Sequence, residues 1–232
     1  MNGRRTIPKY IDRLPEQIIS EKVYFDSVGY IYRALSWLDI AKKRLNVSAL
    51  QYAAHDARQG IEQLLFEELV LSVGTSLDRA EYEKCKGNAT KLHKIVRRLS
   101  PDYEKLAQFT QAVMSIDPEM PPIEIWNHKE LMKSWGSVSN YLHWAGEPRE
   151  TVESKDWVAT GIKAVEAAAN HIWEKAARGY TGILMLHDMP TEIRVLWDRF
   201  KVGQVDLEQV KRTANLASPI LRRRMAFCEA PP

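Results

Sequence analysis

The chain has 232 residues, and 45% of them are hydrophobic, which is enough for a substantial core. Its 33 basic and 30 acidic residues leave a net charge of only +3, so total charge does not by itself require a nucleic-acid partner. No apolar run reaches the roughly 18 residues of a membrane helix, and the N-terminus lacks the apolar segment of a signal peptide. Cys85 and Cys228 have no Cys-x-x-Cys spacing, which disfavours a zinc site. We therefore expect a cytoplasmic protein without membrane, metal or cofactor.

The first part of the chain predicts an irregular arm followed by a helical hairpin. Residues 1–19 contain Pro8 and Pro15 and show no sustained period. Apolar residues then recur at helical spacing over about 20–45, and a second helix opens at Ser48. The connection between them is so short that the two helices must be antiparallel. Small residues in the second helix, at positions 53, 54, 57 and 60, would let a neighbouring helix approach closely. Another side of that helix carries Gln51, His55, Arg58 and Glu62.

The strongest local charge bias of the first half lies between residues 84 and 98, where six residues are basic and none is acidic. The six are Lys84, Lys86, Lys91, Lys94, Arg97 and Arg98. Apolar residues among them predict a third helix, and Ser100-Pro101-Asp102 predicts a new helix start. Such a segment favours a phosphate-rich ligand, while the alternative is an ordinary solvated basic face.

After a proline-rich loop over 117–125, the stretch from Trp126 to Gly146 predicts a helix with two distinct faces. Asn127 can cap it, and Glu130 is placed to complete a capping box. The core face consists of Leu131, Trp135, Val138, Leu142 and Ala145. The opposite face consists of Lys129, Lys133, Gly136, Asn140 and His143, flanked by Tyr141 and Trp144.

This polar face is either solvated or a partner surface. Aromatic side chains with a polar tip are enriched at interfaces, so Tyr141 and Trp144 favour the partner surface. Gly136 would let another backbone or a phosphate come close. We expect binding through Lys133, Gly136, Asn140, Tyr141 and Trp144, together with Lys91, Lys94, Arg97 and Arg98.

The remaining pattern predicts an all-α fold. A regular apolar stripe over 158–176 ends at Arg178-Gly179 and completes an antiparallel bundle of about five helices over 20–179. Residues 180–232 predict a C-terminal extension with short helices at 191–200 and 206–217, the second capped by Asp206 with Gln209. A basic end, Arg222 to Arg224, follows and makes a DNA-binding regulator an alternative.

Over about residues 20–178 the chain resembles HEPN domains, helical bundles common in prokaryotic defence and toxin systems. The resemblance is carried by the alanine-rich helix AAHDARQGIEQLLFEEL, the helix KLHKIVRR with His93, and the segment SNYLHW. It implies a homodimer. Ribonucleases of that family carry arginine, four to six residues and then histidine at a dimer cleft, and His143 occupies the comparable place.

The arginine of that motif is missing here. Gly136, Ser137 and Val138 stand where it is required, and the nearest imitation elsewhere is Lys86 before His93. Lysine does not reproduce the planar clamp that arginine forms on phosphate. The sequence therefore favours a non-catalytic binding or regulatory module that recognises a protein, nucleotide or RNA partner. The alternative enzyme is a metal-independent ribonuclease with His143 as general acid or base.

Overall fold

The computed structural model describes residues 9–20, 26–73, 89–99, 101–115, 123–142, 155–176, 184 and 189–216. The elements there are helices, which confirms the all-α prediction. They are α1 (Pro15–Ser20), α2 (Ser27–Arg44), α3 (Val47–Val73), α4 (Ala89–Leu99), α5 (Tyr103–Met114), α6 (His128–Ser139), α7 (Lys155–Ala176), α8 (Thr191–Lys201) and α9 (residues 207–216). Within these ranges no helix combines the length and the apolar character needed to cross a bilayer.

The chain divides into two compact units. The first comprises Met1–Glu67, Asp78–Ile95 and Trp126–Gly179, and the second comprises Glu68–Leu77, Val96–Ile125 and Tyr180–Pro232. This division differs from the predicted bundle over 20–179 with a separate extension over 180–232. The cause is helix α5, which shares a core with the C-terminal helices.

The α2–α3 hairpin of the first unit has the predicted antiparallel form. α2 ends at Leu45, which adopts the left-handed conformation with φ of 46°. Asn46 follows and its side chain accepts a hydrogen bond from the backbone N–H of Ala49 at 2.8 Å. Because Asn46 caps α3, the helix begins at Val47, one residue before the predicted start at Ser48.

Small residues bring α2 and α3 close together, as predicted. Ala53, Ala54 and Ala57 are fully buried, and a Cβ on Gly60 would lie 2.8 Å from Cδ1 of Ile31. One ion pair sits in this contact. Arg33 donates to both carboxylate oxygens of the buried Asp56, at 2.6 and 2.5 Å, and this hydrogen bonding raises the pKa of Arg33.

Helix α7 packs against α2 and α6, and its predicted stripe is buried as far as Ile172, whereas Ala176 at its end is half-buried. The buried part of the stripe consists of Val158, Ile162, Val165, Ala169 and Ile172. Trp173 stacks on Tyr32 of α2 with ring centroids 5.8 Å apart, and Tyr10 meets the same indole edge-on at 6.0 Å. An ion pair between Lys42 and Glu166 also joins α2 to α7.

The N-terminal arm is less irregular than predicted, since it contains helix α1. Pro15 occupies the first turn, where its missing N–H costs nothing, and the N–H of Leu14 donates to Oε1 of Gln17 at 2.8 Å. Ile18 is buried, which explains why so short a helix persists.

The second unit is built around α5, α8 and α9. Phe109 of α5 meets Trp197 and Phe200 of α8, with ring centroids at 5.4 and 5.8 Å, and Val210 and Ala214 of α9 are buried in the same core. The two predicted C-terminal helices are confirmed. So is the capping pair, because Asp206 and Gln209 exchange hydrogen bonds at 2.9 and 2.8 Å.

A buried polar pair lies at the start of α5. The hydroxyl of Tyr103 donates to the carboxylate of Glu68, which is itself buried. Burial, together with the charge of Glu68, raises the pKa of Tyr103 well above its usual value.

Candidate functional site

Helix α6 begins at the predicted Asn127 cap but ends early. Oδ1 of Asn127 accepts hydrogen bonds from the backbone N–H groups of Lys129 and Glu130, at 3.0 and 3.4 Å. The helix ends at Ser139, so the predicted continuation toward Gly146 is wrong for Asn140 to Leu142, which form a turn. Leu131 and Val138 of the predicted core face are fully buried, Trp135 and Leu142 are half-buried, and Ala145 lies outside the described residues.

The opposite face of α6 is open, as predicted. Lys133 and Asn140 are exposed. Among the residues that the structure describes, no atom lies within 4 Å of a Cβ added to Gly136, which leaves room for another molecule to approach the backbone there. His143 and Trp144 lie outside the described residues.

Tyr141, which was predicted to lie in the partner surface, contacts helix α7. Its ring meets Trp157 edge-on, with centroids 5.2 Å apart, and it also lies over Gly161, where a Cβ would be 2.8 Å from the tyrosine ring. The reason is the early end of α6, which turns Tyr141 toward α7. Tyr141 thus packs within the first unit, while part of its side chain stays accessible.

A hydrogen-bonded set that the sequence did not predict joins α6 to α3. Oε1 of Glu62 accepts hydrogen bonds from the indole N–H of Trp135 at 2.8 Å and from Nε of Arg58 at 3.0 Å. The guanidinium carbon of Arg58 lies 4.8 Å from the centroid of the Trp135 ring. The polar side of α3 is therefore partly covered by α6.

The four basic residues predicted on α4 are all exposed, namely Lys91, Lys94, Arg97 and Arg98. Lys91, Lys94 and Arg98 are three and four residues apart, so they share one face, with Arg97 beside it. His93 is on another side of the helix, two residues from Lys91. The ring of His93 contacts the ring of His128, at the start of α6, in an edge-on arrangement with the ring centroids 5.9 Å apart. The contact between these two histidines holds α4 against the first turn of α6.

Further aromatic and ionisable groups gather around the start of α6. Trp126 is only 2% exposed, and the centroid of its ring lies 6.2 Å from that of His171. Nζ of Lys175 lies 5.4 Å from the centroid of the Trp126 ring. Oε2 of Glu130 lies 4.0 Å from Nε2 of His171. Across the part of the chain that the structure describes, no three histidine, cysteine or carboxylate side chains are arranged to hold a metal ion.

A second surface lies on the α2–α3 hairpin. Trp37 and Tyr52 have ring centroids 5.1 Å apart and planes tilted by 41°. Tyr52 is 57% exposed, and the neighbouring Gln51 and His55 are also exposed. The sequence placed Gln51 and His55 on one side of α3 but gave no sign of the aromatic pair, because its two members come from different helices.

No protein-family model matches this chain, and no curated protein or solved structure shows significant similarity to it. The resemblance to HEPN domains therefore stays a prediction drawn from the sequence pattern. The chemistry of the described surfaces is that of cations, amides, imidazoles and exposed aromatic rings, which suits recognition of a polyanion.

Proposed function

We propose that this chain is a non-catalytic, HEPN-like recognition module that binds RNA through the basic face of α4. The observation that carries the proposal is the exposure of Lys91, Lys94, Arg97 and Arg98 on one helix. Lysine and arginine side chains neutralise phosphates and release counterions, which provides most of the affinity for a nucleic-acid backbone.

The spacing of the four cations favours a polymer over a single nucleotide. From Lys91 to Arg98 the helix rises about 10 Å, so the charges are spread along a line that one phosphate group cannot fill. A nucleic-acid strand offers a series of phosphates along such a line. Resemblance to a family that includes ribonucleases favours RNA over duplex DNA.

We propose that the chain is non-catalytic because the arginine of the ribonuclease motif is missing. Gly136, Ser137 and Val138 occupy the positions before His143 where that arginine would stand. We further propose that the open face of α6 is the homodimer face. Its support is that no atom in the described part of the chain lies within 4 Å of a Cβ added to Gly136, which leaves room for the backbone of a second copy. Lys133 and Asn140 border that space along the helix.

Binding is tested by the fluorescence anisotropy of a labelled single-stranded oligouridylate. In the quadruple variant, Lys91, Lys94, Arg97 and Arg98 are each replaced by glutamine. Each lost phosphate contact lowers the salt slope by about 0.7, so we expect a slope smaller by about 2 to 3 and a large loss of affinity at low salt.

The matched control removes the same charge elsewhere, by glutamine at the exposed residues Lys163, Arg194, Arg199 and Arg212. Wild-type protein that fails to bind, or a control that loses as much affinity as the α4 variant, would overturn the proposal. Chelator-resistant cleavage of the oligonucleotide that disappears in His143→Ala would overturn its non-catalytic part.

The homodimer is tested by light scattering. Wild-type protein is expected to have twice the mass of one chain, and Gly136→Trp, which fills the open space, is expected to give the mass of one chain. A monomeric wild type would contradict the dimer without bearing on RNA binding.

A further inference from the structure

We infer that the Trp37–Tyr52 pair on the α2–α3 hairpin is a stacking site for an unpaired nucleobase of the bound RNA. This inference rests on the proposed RNA binding and adds to it a second contact of different chemistry. The basic face of α4 would take phosphates, and the aromatic pair would take a base.

The pair has the geometry of a prepared stacking surface. Trp37 is half-buried and lies 5.1 Å from the Tyr52 ring, which it supports from one side. Tyr52 remains 57% exposed, so its outer side is accessible to a flat ring. A ring that is already fixed loses little conformational freedom on binding, and stacking on it is worth about 1–3 kcal/mol per base.

Exposed polar residues that can recognise the edges of a base occur close to Tyr52 in the sequence of α3. Gln51 offers an amide, and His55, three residues after Tyr52, offers an imidazole, and both are exposed. Arg58 follows after three more residues, with its guanidinium group held by Glu62 and stacked on Trp135. Single-stranded RNA is read by this combination of stacking and hydrogen bonds to base edges.

A cation for the adjoining phosphate is present on the same hairpin. Arg44 is exposed and comes seven residues after Trp37, which places the two residues on one face of α2 about 10 Å apart along the axis. Its neighbours are engaged elsewhere, since Lys42 pairs with Glu166 and Lys43 with Asp12 and Asp39. Arg44 makes no ion pair among the described contacts. An aromatic ring and a positive charge on one helix face match a nucleotide unit, which joins a base to a phosphate.

The experiment compares Tyr52→Ala with Tyr52→Phe, which keeps the ring. Both are assayed with labelled single-stranded oligouridylate and, by competition, with inorganic polyphosphate, which has phosphates but no bases. We expect Tyr52→Ala to weaken oligouridylate binding about 5- to 150-fold with an unchanged salt slope. Its affinity for polyphosphate should stay at the wild-type value. Tyr52→Phe should behave as wild type with both probes.

A second variant tests whether Arg44 contacts the phosphate. Arg44→Gln is expected to weaken binding of both probes and to lower the salt slope by about 0.7. An unchanged slope and affinity for this variant would remove Arg44 from the site.

The outcomes separate this inference from the proposed function. If Tyr52→Ala binds oligouridylate as tightly as wild type while the quadruple α4 variant loses binding, the stacking site is wrong and RNA binding by α4 stands. If Tyr52→Ala loses affinity equally for oligouridylate and polyphosphate, the ring acts through the fold and the inference is again wrong. If wild-type protein binds neither probe, both proposals fail.

Discussion

Trp135 donates its indole N–H to the carboxylate of Glu62 over 2.8 Å, and this bond joins α6 to α3. Glu62 is only 7% exposed, and burying a carboxylate is costly unless its oxygens are hydrogen-bonded. Arg58 supplies a second hydrogen bond to it and also lies over the indole ring. The three side chains therefore fix the helix whose outer face carries Lys133 and Gly136.

Replacing Trp135 by phenylalanine should lower the free energy of unfolding by about 1–3 kcal/mol, because Glu62 loses one of its hydrogen bonds while remaining buried. Urea unfolding followed by circular dichroism measures the change. In a Glu62→Met background the same replacement should cost less, since the indole N–H no longer has this acceptor. Strict additivity of the two substitutions would contradict the coupling.

Two glycines in helix interiors should respond to alanine with opposite signs. In the monomeric chain, Gly136→Ala is expected to raise the free energy of unfolding by about 0.5–1 kcal/mol, because its Cβ would meet no atom of the described residues within 4 Å and alanine favours the helix. Gly161→Ala should lower it by about 1–3 kcal/mol, because its Cβ would lie 2.7 Å from Leu50 and 2.8 Å from Tyr141. Alanine has a higher helix propensity than glycine at both positions, so the difference between the two changes in unfolding free energy reports the packing around each Cβ. A stabilising Gly161→Ala would show that Tyr141 does not pack there.

The stability of the first unit should depend on pH through Asp39. Burial alone would raise the pKa of Asp39, but hydrogen bonds from Lys43 at 2.7 Å and from the N–H of Asp12 at 2.9 Å bring it below its usual value. A carboxylate with a lowered pKa stabilises the folded state above its unfolded pKa of about 4, and the contribution is lost as pH falls through the folded value.

Thermal unfolding of wild type and Asp39→Asn between about pH 2 and pH 7 tests this dependence. Wild type should be the more stable of the two at neutral pH, and the difference should shrink as the solution becomes acidic. A difference that is constant over this range would mean that the ionised carboxylate contributes nothing.

The periodic features of the fold were predictable from sequence. The stripe of α7, the alanines of α3 and the Asp206–Gln209 cap depend on residues close together in one helix, so local spacing reveals them. The core shared by α5, α8 and α9 was missed because Phe109 and Trp197 lie 88 positions apart, and an apolar stripe does not say which partner will cover it.

The candidate surfaces show the same contrast. Exposure of Lys91 and Lys94 follows from the amphipathic pattern of α4 itself. The contacts between His93 and His128 and between Trp37 and Tyr52 each join two helices, and no local pattern encodes them. The contact of Tyr141 with Trp157 was not predicted, because the sequence after Ser139 has no strong helix stop to show that α6 ends there.

The salt dependence of oligouridylate binding tests the central claim most directly. It is measured for wild-type protein and for the quadruple glutamine variant of Lys91, Lys94, Arg97 and Arg98. If α4 binds the RNA backbone, the slope of log Kd against log salt will be smaller in the variant by about 2 to 3. Equal slopes and equal affinities for the two proteins would contradict the claim.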